Sequence, residues 1–465
     1  MKKRMGLLIS IASFLILLLL PPIDGLSFEG QRCLALFIFV FFLYLFEVIN
    51  AAVISLAIVP LLVLLNISDI KEALSGFSST STYLIVGSFI LATAMTKSKL
   101  GDRITYCILL YIGTSIRKIT FGIMCVNILM AFAIPSSTAR TAMLLPICLK
   151  IIEQFQGKKK TKYGANIMMT LCCTNSSISA GILTSTITNP MAVEYIFNAT
   201  GKMVSFFEWF KWGFPPALII TVFIWILIQI IFKPEKANED NGVIYIKEQL
   251  KSLGAMKAEE KRVAIVTIGT ILLWILGDRL GIDSTTTCIL GACILCLPKI
   301  GYLEWKDCQK NISLNVVFIC SGGISLGAAM SSTGTATWMA NSIFEIFNLS
   351  QYSQVILIIL LIVIVQFMHV FFVGTATMAN VFFPILLGIA TVSKINPLLT
   401  ILPAAFMIGG YPILMFFNTT PNILCYDTGE VQANDFPKIG FLVSVFACIV
   451  YAICVKWYWP YTNMM

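Results

Sequence analysis

The chain has 465 residues, 58% of them hydrophobic and 12% charged, with a formal net charge of +9. No soluble domain hides that much apolar surface, so the composition fits a helical protein that crosses a membrane many times. The lysines are scattered between apolar runs, which argues against a nucleic-acid surface and fits basic loops on the cytoplasmic side.

Residues 1–22 are MKKR and an apolar run that ends at Pro21-Pro22. No small-residue cleavage site is obvious, so 1–28 is expected to hold a retained first span with its N-terminus in the cytoplasm. Apolar spans follow at about 31–48, 51–66 and 82–97. Residues 97–118 place Lys97, Lys99, Arg103, Arg117 and Lys118 around an apolar middle, the pattern of a helix lying on the cytoplasmic surface. Two apolar arms, 119–134 and 139–152, come next, parted by Pro135 and by Ser136, Ser137 and Thr138. Proline stops the first arm, and Ser or Thr before the second is a helix N-cap signal. Basic residues flank both ends, with KKKTK at 158–162, so 119–152 is expected to enter and return as a re-entrant hairpin. Residues 163–199 form an apolar stretch broken by TSTITNP, 184–190. A span at 209–232 closes a first unit, 29–232, and the long polar segment 233–262 reads as a cytoplasmic linker.

The second unit, 263–465, repeats the plan. Spans near 263–278, 284–298 and 313–330 precede an amphipathic piece, 335–349. Arms at 353–372 and 377–393 surround Gly374, Thr375 and Ala376, giving a second hairpin over 353–393. A broken helix, 398–424, is interrupted at FNTTPN, 417–422, and a last span covers 437–459. SFILATAM (88–95) matches GISLGAAM (323–330), and aligning Pro146 with Pro384 sets Gly374, Thr375 and Ala376 opposite Ser136, Ser137 and Thr138. Internal symmetry of this kind marks repeat-built transporters. Counting crossings makes the repeats inverted, so the second hairpin opens to the outside. The expected fold is an all-α polytopic membrane protein with about eleven spans and two re-entrant hairpins.

Ionisable residues such as Glu47, Glu194, Asp278, Glu345 and Asp427 fall near predicted span ends. A proton relay usually needs an intramembrane carboxylate or histidine. The tips and breaks offer hydroxyls, amides and helix ends instead. Helix N-termini present free N–H groups to a carboxylate, and neutral oxygens suit a hard monovalent cation such as Na⁺. Ser136, Ser137, Thr138, Asn189 and Asn422 are therefore candidates for function, with Asn418 balanced and Asn380 and Asn175 weaker. Arg140 is either a substrate contact or a charge held by backbone carbonyls. His369, the sole histidine, fits a buried neutral ring bonded to a carbonyl. The fourteen cysteines lack zinc spacing with histidine and read as apolar fillers. No Asp pair, HExxH or phosphate-binding GxxxxGK[ST] occurs, which argues against an enzyme and against an ATP-driven pump.

These residues resemble the divalent anion:sodium symporter family, solute carrier family 13. SFFEWFKWGFP (205–215) and NTTPNILCYDTGEVQANDFPKIG (418–440) carry part of the likeness. PSSTARTAMLLPI, ILTSTITNPMAV and MHVFF are similar to the branch of citrate/succinate antiporters and plastid 2-oxoglutarate/malate translocators. The resemblance implies a plasma-membrane homodimer working by an elevator mechanism on dicarboxylates or tricarboxylates, with Na⁺ as the coupling ion and no other cofactor. It implies substrate contacts at Ser136, Ser137, Thr138, Gly374, Thr375 and Ala376, and Na⁺ ligands among Ser136, Ser137, Thr188, Asn189, Thr375 and Thr420. The family's Ser-Asn-Thr tips read Ser-Ser-Thr and Gly-Thr-Ala here. That leaves an Na⁺-independent antiporter, or a carrier of an inorganic dianion such as sulfate, as alternatives.

Overall fold

The computed structural model describes residues 2–113, 115–156, 162–233, 239–462 and 464. Every regular element among them is helical. Seven helices are long and apolar enough to cross a membrane, and three shorter apolar helices join them. Isoleucines on the outer faces of two of these, such as Ile226, Ile230, Ile265 and Ile268, lie exposed, as lipid-facing positions should.

The first half runs α1 (Lys2–Leu19), α2 (Phe28–Leu45), α3 (Ala51–Leu64), the single turn α4 (Ile70–Ala73), α5 (Thr80–Lys97), α6 (Leu100–Ile112), α7 (Ile116–Ala133), α8 (Ser137–Gln156), α9 (Lys162–Ser179), α10 (Thr188–Thr200) and α11 (Phe206–Ile231). Between the halves lies α12 (Glu239–Ser252). The second half runs α13 (Ala258–Leu280), α14 (Ser284–Cys296), α15 (Trp305–Asn311), α16 (Leu314–Ser332), α17 (Thr335–Phe347), α18 (Gln354–Met368), α19 (Thr375–Ser393), α20 (Pro397–Gly410), α21 (Thr420–Asp427) and α22 (Asp435–Ile453). The two successions match element for element from α2 and α13 onward.

The tips form where local chemistry stops a helix. Ile134 leaves α7 in an extended conformation ahead of Pro135, and the Ser136 Oγ accepts from the Ala139 N–H at 3.2 Å to start α8. In the second half, one 3₁₀ turn (His369–Phe371) ends α18 and Phe372 is extended. Gly374 then turns at φ +98°, a conformation L side chains rarely adopt, and α19 begins.

Both broken helices are interrupted earlier than their prolines indicate. The first gap is 180–187, with Asn189 and Pro190 already in the first turn of α10, and the second is 411–419, with Pro421 and Asn422 in the first turn of α21. Proline has no N–H to lose there, so it marks the restart and not the gap.

Of the basic run 158–162, only Lys162 falls among the described residues, and 234–238 of the polar segment lie outside them. The rest of that segment is largely helical. Its helix α12 packs on α6 and α8. Arg103 of α6 donates to both Glu260 oxygens and to the carbonyls of Leu253 and Gly254. The halves also interlock: α3 packs on α16, α5 on α14, α10 on α19 and α20, and α21 on α8 and α9.

Candidate functional site

A helix interrupted inside a membrane exposes carbonyls that must find donors. In the first gap, the Asn189 Nδ2 donates to the carbonyls of Ser179 (2.9 Å) and Ile182 (3.0 Å). The Trp209 Nε1 donates to Ala180 at 2.9 Å. In the second gap, the Asn422 Nδ2 donates to Pro412 (2.7 Å) and Met415 (3.2 Å), and the Gln366 Nε2 to Tyr411 (2.9 Å). Asn189 and Asn422 thus make the same clamp: each reaches the carbonyls ten and seven residues before it. Both side chains are fully buried, as is Thr188, whose Oγ1 donates to the Asn189 Oδ1 at 3.4 Å.

Arg140 is completely buried one turn into α8. Its Nε donates to the Asn175 Oδ1 (2.7 Å), its Nη2 to the Ser179 Oγ (2.5 Å), and its Nη1 to the carbonyls of Ile134 (2.6 Å) and Ser185 (3.4 Å). All these acceptors are neutral. The charge ties the first tip to the first gap, and among the described residues no carboxylate is one of its partners. Asn175 is therefore a positioning residue, with its Nδ2 on the Ser137 carbonyl (2.8 Å) and the Thr141 hydroxyl (2.7 Å). In the second half Asn418 does the tying: its Nδ2 donates to the carbonyls of His369 (2.6 Å) and Phe372 (3.0 Å). The His369 ring lies buried between two carbonyls, with Nδ1 2.9 Å from Gln366 and Nε2 3.3 Å from Ile408.

Both tips are partly open to their surroundings, at 136–139 and 374–376. Ser136 and Thr138 line a cavity of about 580 Å³ between α5 and α8, and Thr420 at the start of α21 lines it too. The N-termini of one helix from each half thus face one space. Gly374, Thr375 and Ala376 are not among the residues that line this cavity, so it joins the first tip to the second gap and not to the second tip. Asn189 and Asn422 stand behind it as clamps.

Sequence reasoning passed over Gln366, whose Nε2 also donates to the Ser444 Oγ at 2.8 Å. Its signal was available, since it is the one amide of an otherwise apolar stretch after Gln354 in α18. Trp209 and Asp307 are missed as well, and Lys97, expected to open the surface helix over 97–118, ends α5 instead. Their partners lie far along the chain, and no local pattern announces them.

Interrupted helices, polar tips and helix N-termini turned toward a common cavity are the build of a secondary transporter. The family described as the sodium:sulfate symporter transmembrane region matches the chain over residues 1–465. This chain belongs to that family, the divalent anion:sodium symporters, and is a multi-pass membrane transporter. It is 25% identical over 482 residues to the sodium-dependent dicarboxylate transporter SdcS of Staphylococcus saprophyticus, covering 98% of this chain and 92% of that one. It is 24% identical over 451 residues to the chloroplastic dicarboxylate transporter 1 of Spinacia oleracea, covering 96% of this chain and 79% of the relative. The solved structure of MtrF from Neisseria gonorrhoeae shares the fold, with a TM-score of 0.59 at 13% identity over 97% of this chain and 94% of the other.

Proposed function

We propose that this protein carries dicarboxylates of the succinate and malate type across the cell membrane. The observation that carries the reading is the cavity that gathers the N-termini of α8 and α21 at Ser136, Thr138 and Thr420. Helix N-termini favour carboxylates through free N–H groups and the helix dipole, and one from each half offers a grip for each end of a dianion. Relatives named as dicarboxylate transporters support the same substrate class. We read the chain as a first span, 1–28, and two inverted units, 29–232 and 263–465, joined by the cytoplasmic segment 233–262. Hairpin 119–152 opens to the cytoplasm and hairpin 353–393 to the outside. The eleven-span protomer works as a homodimer and moves its hairpins by an elevator motion. Ser137, Gly374, Thr375 and Ala376 meet the anion in the opposite state of that motion.

For coupling, we infer exchange of one dicarboxylate for another without Na⁺. Arg140 places a permanent positive charge among the oxygens of the first tip and first gap, where a coupling cation would otherwise bind. A buried charge of this kind marks an ion or substrate pathway by default. Na⁺ symport is the second reading. It is favoured by the sodium-dependent relative, and by the buried Oδ1 of Asn422 and hydroxyls of Thr184 and Ser185, which have no hydrogen-bond partner among the described residues. Those oxygens, with Ser136, Ser137, Thr188, Asn189, Thr375 and Thr420, suit a hard cation.

Radiolabelled succinate uptake into proteoliposomes tests both. Exchange requires internal dicarboxylate and ignores replacement of Na⁺ by choline. Na⁺-driven filling of empty liposomes would establish symport instead, and transport of sulfate alone would overturn the substrate class. Ser137→Leu and Thr375→Leu are each expected to abolish uptake in folded protein. Near-normal rates in both would remove the tips from the mechanism.

A further inference from the structure

The lining of the cavity at the first tip is neutral except for one partly exposed ion pair. Lys97, at the end of α5, and Asp307, in α15, are the only charged residues among those that line it. They form an ion pair, Nζ to Oδ2 at 2.5 Å, and their side chains are 37% and 28% exposed. Neither is loose. The Tyr302 hydroxyl donates to the Lys97 carbonyl at 3.1 Å, and the Lys97 ammonium lies 5.1 Å from the centre of the Tyr302 ring. Asp307 is held by the Glu304 N–H at 3.0 Å in a reciprocal cap. The pair belongs to α5 and to α15, whereas Ser136 and Thr138 come from the start of α8 and Thr420 from the start of α21.

Resting on the transport reading above, we propose that Lys97 is the capture residue for dianions entering this cavity, with Asp307 as its built-in competitor. An arriving dicarboxylate displaces the Asp307 carboxylate from the Lys97 ammonium, then passes inward to the helix N-termini. The carboxylate reclaims the lysine and frees the mouth for release in the other direction. The pair therefore sets affinity on one side of the membrane only. The pair itself is neutral, so losing either partner leaves one unit of charge on the cavity lining, which changes local anion concentration severalfold, an effect that salt damps.

The test measures the KM for succinate separately on the two membrane faces, in right-side-out and everted vesicles holding the full chain. Asp307→Asn keeps an oxygen able to accept from the Glu304 N–H but removes the competing charge. It is expected to lower KM on the cavity side by about three- to tenfold at low ionic strength. Lys97→Gln is expected to raise KM on that side by a similar factor, and Lys97→Arg to match the unaltered protein. Both changes should shrink at high salt, and KM on the far face should stay the same. Unchanged KM in Asp307→Asn, equal shifts on both faces, or shifts that ignore salt would each overturn the proposal. If the unaltered protein carries no dicarboxylate at all, the transport reading itself fails, a result distinct from any of these.

Discussion

Ile134 and Phe372 occupy the same place in the two halves, two residues ahead of the tips at Ser136 and Gly374. Each carbonyl is tied across to the following gap. Arg140 holds Ile134 at 2.6 Å, and Asn418 holds Phe372 at 3.0 Å. A neutral amide suffices in the second half, so tying alone does not call for a guanidinium. What Arg140 adds is charge, and that charge separates the first site from the second. The asparagine clamps at Asn189 and Asn422 vary far less, because satisfying carbonyls is the same task in both halves.

The halves also differ in how the second hairpin arm meets its helix. In the second half, α19 packs directly on α16. The Asn380 Nδ2 donates to the Ile319 carbonyl at 2.9 Å, and a Cβ on Gly323 would fall 1.7 Å from the Asn380 Oδ1. The Tyr195 hydroxyl donates to the Gly323 carbonyl at 2.8 Å, and Gly327 leaves room for its ring. In the first half the corresponding positions are Ala142, Ser88 and Ala92, and Ala92 and Ala142 line the open cavity. One face is shut by polar side chains set into glycine notches, while its counterpart has neither knob nor notch and stands apart.

The largest effect is expected at Arg140. Arg140→Met strips donors from several buried acceptors and should cost roughly 3 kcal/mol of stability and all transport, read by thermal melting and by exchange. Arg140→Gln returns donors without charge. It should recover part of the stability and none of the transport, and full transport would break the distinction between the halves. Next, Asn189→Ala and Asn422→Ala should each cost about 2 kcal/mol, since each leaves two carbonyls bare. Melting shifts that differ widely between them would end the equivalence of the clamps. Gly323→Ala should cost about 1–2 kcal/mol by overpacking, and adding Asn380→Ala should recover part of it. A double-mutant cycle with no coupling would mean the two do not meet. The smallest effect is expected at Ser136→Ala, about 1 kcal/mol for a lost cap, with melting again the measure.

Much of this plan is legible in the sequence. Pro135 with three hydroxyl residues places the first tip because helix stops and caps are local chemistry, and aligning Pro146 with Pro384, both inside helices, carries that position to the second half. The gaps could be seen but were set too late, since Asn189, Pro190, Pro421 and Asn422 sit in restarting helices. The two ends of the Arg140 network could not be joined by pattern, because its partners lie up to 45 residues away. Asn380 ranked low for a similar reason: its meaning depends on Gly323 and Ile319 in a different helix. The cavity, too, pairs Ser136 with Thr420 across the whole chain, a juxtaposition no periodicity encodes.

The interlocking of the halves has a consequence for how the protein is made. Helix α3 finds its partner in α16 and α5 in α14, while α10 rests on α19 and α20. When the ribosome has finished α11, these surfaces are still bare, and the residues that cover them have yet to be synthesised. Neither half can complete its interior early, so the nascent N-terminal half must wait in the bilayer for its complement, at the point where chaperoning and quality control act.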